Sequence, residues 1–108
     1  MAVNEDFVLF VNEQLKDFGE FEMKRMFGGV GYFRDGLMFG KIGSATFYLK
    51  VDDKNKMDFE QKGMRPFFSK NKKKGMPYWE VPVEILENKS ELSKWCGKAF
   101  EAAVRAKK

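Results

Sequence analysis

The apolar positions of this chain change period several times, and each change marks an element. Phe7, Val8, Val11, Leu15 and Phe18 recur at helical spacing and predict a first helix over residues 4–18 with one apolar face. Asn4 is placed to cap it, Glu5 and Asp6 suit the positive end of its dipole, and Gly19 is a natural stop. Phe10 falls off the stripe, so it either widens the buried face or lies exposed. From residue 26 to 42 the pattern alternates instead. Asp35-Gly36 sits between two apolar runs, a strong signal for a type I′ hairpin turn. The turn predicts a register in which Arg34 faces Leu37, Phe33 faces Met38, Tyr32 faces Phe39 and Gly31 faces Gly40. Tyr32, Phe39, Arg34 and Leu37 then share one face of the hairpin. Phe33 and Met38 share the other, beside a trough left by Gly31 and Gly40. Large apolar groups on both faces place this hairpin centrally in a sheet.

Gly43-Ser44-Ala45 turns the chain into a strand of strong β-formers over 46–51, which extends the hairpin to a meander. Residues 20–24 read as a connector or a short strand. Asp52 and Asp53 end the strand over 46–51, and a short helix over 55–62 stops at Gly63. Arg65 precedes Pro66 and is therefore extended. A short strand over 67–70 and an extended run over 76–81 follow, with Pro77 marking an edge or a strand start. One helical turn is expected over 83–86. Ser90 reads as the cap of a last helix whose stripe is Leu92, Trp95, Cys96, Ala99, Phe100 and Ala103. Phe7, Val11, Leu15, Leu92, Trp95, Ala99 and Phe100 are expected to be largely buried. The whole predicts one α+β domain over 1–108: an antiparallel sheet of about five strands, a meander plus a hairpin, packed by an N-terminal and a C-terminal helix.

Composition narrows the function classes. With 108 residues, 44% of them apolar, the chain can build one core without staples. No apolar run approaches ~18 residues, so no membrane span is expected. The start, Met-Ala-Val-Asn-Glu-Asp, lacks a signal-peptide core. Cys96 is the single cysteine and has no internal partner, which fits a cytoplasmic setting. There is no histidine. That removes histidine acid–base catalysis, histidine-activated nucleophiles and histidine metal sites. The expectation is therefore a non-enzymatic protein with no metal and no organic cofactor.

Net charge is +4, but it is local. Residues 62–76 hold six basic side chains and no acid, and the remainder of the chain is net −2. Arg65, Lys70, Lys72, Lys73 and Lys74, with Phe67, Phe68, Tyr78 and Trp79 nearby, are the candidate nucleic-acid contacts, lysines for phosphates and rings for bases. The competing reading is a solvated turn that discourages edge aggregation. Gly28-Gly29-Val30-Gly31 has Arg34 where a dinucleotide loop needs its third glycine, and a strand follows instead of a helix. Its glycines are read as structural. Cys96 lies on the apolar stripe and reads as a small buried hydrophobe. Asp52, Asp53 and Glu60 read as strand-end and helix-start residues ahead of a cation site.

Five blocks in order then resemble a known family. They are Met26-Phe27-Gly28-Gly29 with Gly31, Gly36, Met38 and Phe39; Phe47-Tyr48-Leu49-Lys50-Val51-Asp52; Gly63-Met64 with Pro66-Phe67; Met76-Pro77-Tyr78-Trp79-Glu80-Val81-Pro82; and a helix centred on Trp95 with Ala99. Together they resemble the N-terminal domain of the TfoX/Sxy family, here standing alone without the C-terminal helical domain of full-length members. The resemblance implies an α+β fold with an antiparallel sheet and a role in regulating transcription of natural-competence genes. The expected mode is contact with a protein partner, with the transcription machinery a candidate and self-association a further mode. Nucleic-acid binding through the basic turn is the alternative, expected to be loose, and no membrane association is expected.

Overall fold

In the computed structural model, which describes residues 3–26, 28–66 and 77–107, the chain opens with helix α1, Glu5–Gln14. The Asn4 side chain accepts from the Phe7 backbone N–H, the expected cap. A 3-10 turn, Leu15–Phe18, tightens its end before Gly19. Five strands follow: β1 Glu22–Met26, β2 Gly29–Arg34, β3 Leu37–Gly43, β4 Thr46–Lys50 and, after a short helix α2 over Lys56–Glu60, β5 Tyr78–Glu80. They form one antiparallel sheet in sequential order. A single turn α3, Val83–Leu86, leads into the long helix α4, Lys89–Lys107. The α+β class and the terminal helices are as the sequence implies.

The composition of the sheet differs from expectation. The segment left open as connector or strand is β1, shifted to Glu22–Met26. The strand read over 67–70 lies outside the described residues. The cap of α4 is Asn88, not Ser90. The Asn88 Oδ1 accepts from the Glu91 N–H at 3.1 Å, the reach of a cap to its third helical residue.

The hairpin turn is type I′, with φ +53° at Asp35 and +77° at Gly36. A Cβ at Gly36 would meet nothing, so the backbone conformation is the whole constraint there. Gly36→Val is expected to cost about 1 kcal/mol or more, because a β-branched residue resists this φ. Equal thermal midpoints for the two proteins would contradict it.

Beyond the turn the expected register fails after two pairs. Arg34 pairs with Leu37 and Phe33 with Met38, but Tyr32 pairs with Gly40 and Gly31 with Lys41. Phe39 is the extra residue of a β-bulge. Phe39 and Gly40 both turn toward the helices, and Gly40 leaves the face it was expected to share with Gly31.

One side of the sheet makes the core. Val30, Tyr32, Phe39, Ile42, Phe47 and Leu49 join Val8 and Val11 of α1 and Leu92, Cys96 and Ala99 of α4. Phe7, Trp95 and Phe100 are only partly buried at its margin, less than their stripes imply. Trp95 stands edge-on to Phe59 of α2 at 4.7 Å, so a residue from another element fills the space that a deeper Trp95 would take. Phe10 lies outside the core and packs its ring 6.3 Å from Phe7. The Asp52 carboxylate ties the end of β4 to α4, taking two bonds from Arg105 at 2.6 and 3.0 Å. That hydrogen bonding holds the Asp52 carboxyl below its usual pKa.

Candidate functional site

The core-facing residues of each strand leave their alternates on the opposite, outer face of the sheet. Strand pairing sets Lys24, Gly31, Lys41, Tyr48 and Glu80 in one row across all five strands. Phe33 and Met38 pair beside one half of this row, and Lys50 and Tyr78 beside the other. The expected trough at Gly31 and Gly40 is not there. Gly40 faces Phe47 and Leu49 on the core side, while Gly31 is roofed by Met26, Phe33 and Met38. A Cβ on Gly31 would lie 3.0 Å from Met38 Sδ and from Phe33 Cε1.

Lysines on this face rest on rings. Lys24 Nζ is 5.4 Å from the Phe33 centroid, Lys50 Nζ 5.1 Å from Tyr78, and Lys41 Nζ 5.6 Å from Tyr78 and 5.9 Å from Tyr48. These are cation–π distances. Burial lowers the pKa of Lys41 and raises those of Tyr48 and Tyr78. Among the described residues, no ion pair includes Lys24 or Lys50. The ion pairs instead join charges of the helical side and of the β1–α1 junction, such as Arg25–Glu5, Lys62–Glu84 and Lys98–Asp58. The outer face therefore holds cations whose neighbours are aromatic, together with the carboxylates of Glu22 and Glu80, whereas several cations of the other side are neutralised by carboxylates.

The second surface is the rim of β1. Among the described residues no strand pairs with β1 on the side away from β2. Glu22, Met23, Lys24 and Arg25 are all exposed. Met23 takes a weak hydrogen bond from Asn12 of α1 at 3.5 Å, and on α1 Leu9, one turn from Asn12, is 68% exposed. Apolar side chains thus border an open strand edge. The opposite edge is different. Pro66 bridges to Trp79, and Arg65 accepts the Glu80 N–H through its carbonyl.

Of the residues expected to contact nucleic acid, Arg65 is exposed and lies along β5. Lys70, Lys72, Lys73 and Lys74 lie outside the described residues, as do Phe67 and Phe68. Tyr78 and Trp79 do not form one platform. Tyr78 is buried on the outer face, whereas Trp79 turns to the helices and lies 6.2 Å from Phe59. Cys96 is fully buried, and burial pushes its thiol pKa up, the opposite of an activated nucleophile. The Asp52 carboxylate is committed to Arg105 and to the Lys54 N–H, so Asp52 serves structure, and Glu60 faces Lys56 at 3.9 Å. Gly29 is also structural. A Cβ there would meet the Ile42 carbonyl oxygen at 2.3 Å, so only glycine lets β2 and β3 approach so closely. A cleft of about 650 Å³ beside the hairpin tip is rimmed by Glu20, Glu22 and Asp35. Its cation, Arg34, is spent on the carbonyls of Phe18 and Glu20.

The outer-face lysines were not singled out by sequence reasoning. Their signal was present in the alternation Thr46-Phe47-Tyr48-Leu49-Lys50, in which one set of alternates is wholly apolar and the other is not.

This combination defines a class: a small α+β domain with its helices on one face of an antiparallel meander and an aromatic, basic surface on the other. The chain belongs to the TfoX N-terminal domain family, whose model matches residues 13–103. No curated protein matches it.

Proposed function

We propose that this domain is a non-enzymatic regulatory module that works by binding a protein partner, in the control of competence-gene transcription that its family membership suggests. The observation that carries the protein-binding reading is the free edge of β1. Its backbone groups have no strand beyond them among the described residues, and Leu9 and Met23 stand exposed beside it. An extended segment of a partner gains main-chain hydrogen bonds from such an edge and specificity from the side chains that border it. The chemistry of the chain supports a non-catalytic role: it has no histidine, and its cysteine is buried.

The test is capture of partners from native cytoplasm with nuclease-treated extract, using the wild-type domain and a Leu9→Asp/Met23→Asp variant. Both positions are exposed, so the variant is expected to fold with a near-native far-UV spectrum. A protein retained after nuclease treatment by the wild type, and reduced at least about 10-fold by the variant (one factor of ten being 1.4 kcal/mol), is the expected result. Equal retention by both would remove the β1 edge from the function. Loss of every partner on nuclease treatment would remove the protein-contact reading itself.

A further inference from the structure

We infer that the outer face of the sheet is a binding site for single-stranded nucleic acid, on a surface distinct from the basic segment that the sequence singles out. The inference does not rest on the protein-contact reading, which concerns the β1 edge.

The first argument is charge. Lys24, Lys41 and Lys50 outnumber the two carboxylates of this face, Glu22 and Glu80, and Lys24 and Lys50 make no ion pair among the described residues, while Arg25, Lys62, Lys89, Lys98 and Arg105 elsewhere are paired. A face with more ammonium groups than carboxylates attracts a polyanion. The second argument is the neighbour each ammonium has. Lys24 lies against the partly exposed Phe33 and Lys41 against the partly exposed Tyr48, with Lys50 over the buried Tyr78, so cations and accessible rings are interleaved on the surface. Single strands present the matching alternation, phosphates in the backbone and bases with exposed π-faces, and base–aromatic stacking tolerates any sequence. An acidic peptide would use the charges and leave the rings without a partner of their own kind. The third argument is shape. A sheet face enters no groove, and its rings reach only unpaired bases, so a duplex is excluded from the same contacts. Phe33 is the ring best placed for this. It is partly exposed, it sits on an interior strand, and its ring lies over Gly31 beside Met26 and Met38.

The experiment is fluorescence anisotropy with labelled U12, dT12 and a 12-base-pair duplex at two salt concentrations, with unlabelled polyglutamate as competitor. Micromolar or tighter binding to the single strands at low salt is expected, with weaker binding to the duplex. If three phosphates are neutralised, log Kd should depend on log salt with a slope of magnitude about 2. Phe33→Leu keeps apolar area and removes the ring, and should weaken binding about 5-fold or more, the lower end of what one stacked base contributes. Phe33→Tyr should bind as the wild type does. Lys24→Gln/Lys50→Gln should lower the slope by about 1.4. These side chains lie outside the core cluster, and unchanged thermal midpoints would show that the variants remain folded. Three results would overturn the inference. One is no binding to U12 or dT12 at low salt. Another is binding that survives both the Phe33 and the lysine changes but is lost in Lys72→Ala/Lys73→Ala/Lys74→Ala, which would place the site on the basic segment. The third is polyglutamate displacing U12 as effectively as unlabelled U12 does, which would make the face an acceptor for acidic peptides.

Discussion

Phe39→Ala is expected to destabilise the domain by about 3–5 kcal/mol, the range for removing a large aromatic side chain from a core. Phe39 is fully buried. Its ring lies 5.0 Å from Phe18 at the end of the first helical segment and 6.5 Å from Tyr32 on the neighbouring strand. It therefore joins the sheet to the 3-10 turn that closes α1, and deletion would leave a void that neither rigid element can collapse to fill. The bulge makes this position unusual. Because Phe39 is the extra residue against Tyr32, it turns inward beside Gly40, and Gly40 supplies the room that a second side chain would occupy. Phe39→Leu retains most of the volume and should cost less than about 1.5 kcal/mol. Urea unfolding of the three proteins measures both values. An alanine variant within 1 kcal/mol of the wild type would mean that Phe39 is not part of the core.

The same residue shows how far the sequence could be read. Periodicity correctly assigned Tyr32, Phe39, Arg34 and Leu37 to one face, because side-chain alternation holds in β2 and in β3 from the turn as far as Phe39. The register could not be read, because a bulge inserts one residue without altering the composition of either strand. Asp35-Gly36 fixed the turn, since the φ > 0 requirement is written in the residue types, but its authority ended where the bulge began. β1 was hard to recognise for a different reason. Glu22–Met26 is an edge strand exposed along nearly its whole length, so no buried face imposed an apolar alternate. At the start of α4 both Asn88 and Ser90 are good caps, and only the hydrogen bond to Glu91 separates them.

For the candidate surfaces, the lysine-rich run was conspicuous in the sequence because its charges are contiguous. Lys24, Lys41 and Lys50 were not, because they come from three separate strands and become neighbours only through pairing. The shared row of Lys24 and Lys41 depends on Gly31 facing Lys41 instead of Gly40. The register that was misread is thus the register that builds the face.

Arg34→Met is expected to cost about 2–3 kcal/mol, although arginine on a strand ordinarily reads as a solvated residue. The Arg34 guanidinium lies 3.6 Å over the Phe18 ring and 5.7 Å from that of Phe100. It donates to the carbonyl oxygens of Phe18 at 2.7 Å and Glu20 at 2.9 Å. Those carbonyls flank Gly19, where the first helical segment ends and the chain turns toward β1. A Cβ on Gly19 would come within 3.2 Å of Arg34 Nη2, so the small residue leaves the fork its position. Each hydrogen bond from a charged donor contributes about 1.5–3 kcal/mol when well enclosed. The cation–π contact adds about 0.5–2 kcal/mol. Arg34 is only partly buried, so solvent screening reduces the total below the ~3.5 kcal/mol low end of that sum, to the ~2–3 kcal/mol expected. Methionine keeps the apolar stem between the two rings, and the loss therefore reports the guanidinium alone. Lysine discriminates further. Its single ammonium can hold one carbonyl or sit over one ring but cannot span both carbonyls with a planar fork. Arg34→Lys should therefore recover less than half of what methionine loses. Urea unfolding of the wild type and the two variants gives the comparison. A lysine variant as stable as the wild type would show that positive charge near Phe18 is sufficient and that the two-carbonyl clasp contributes nothing.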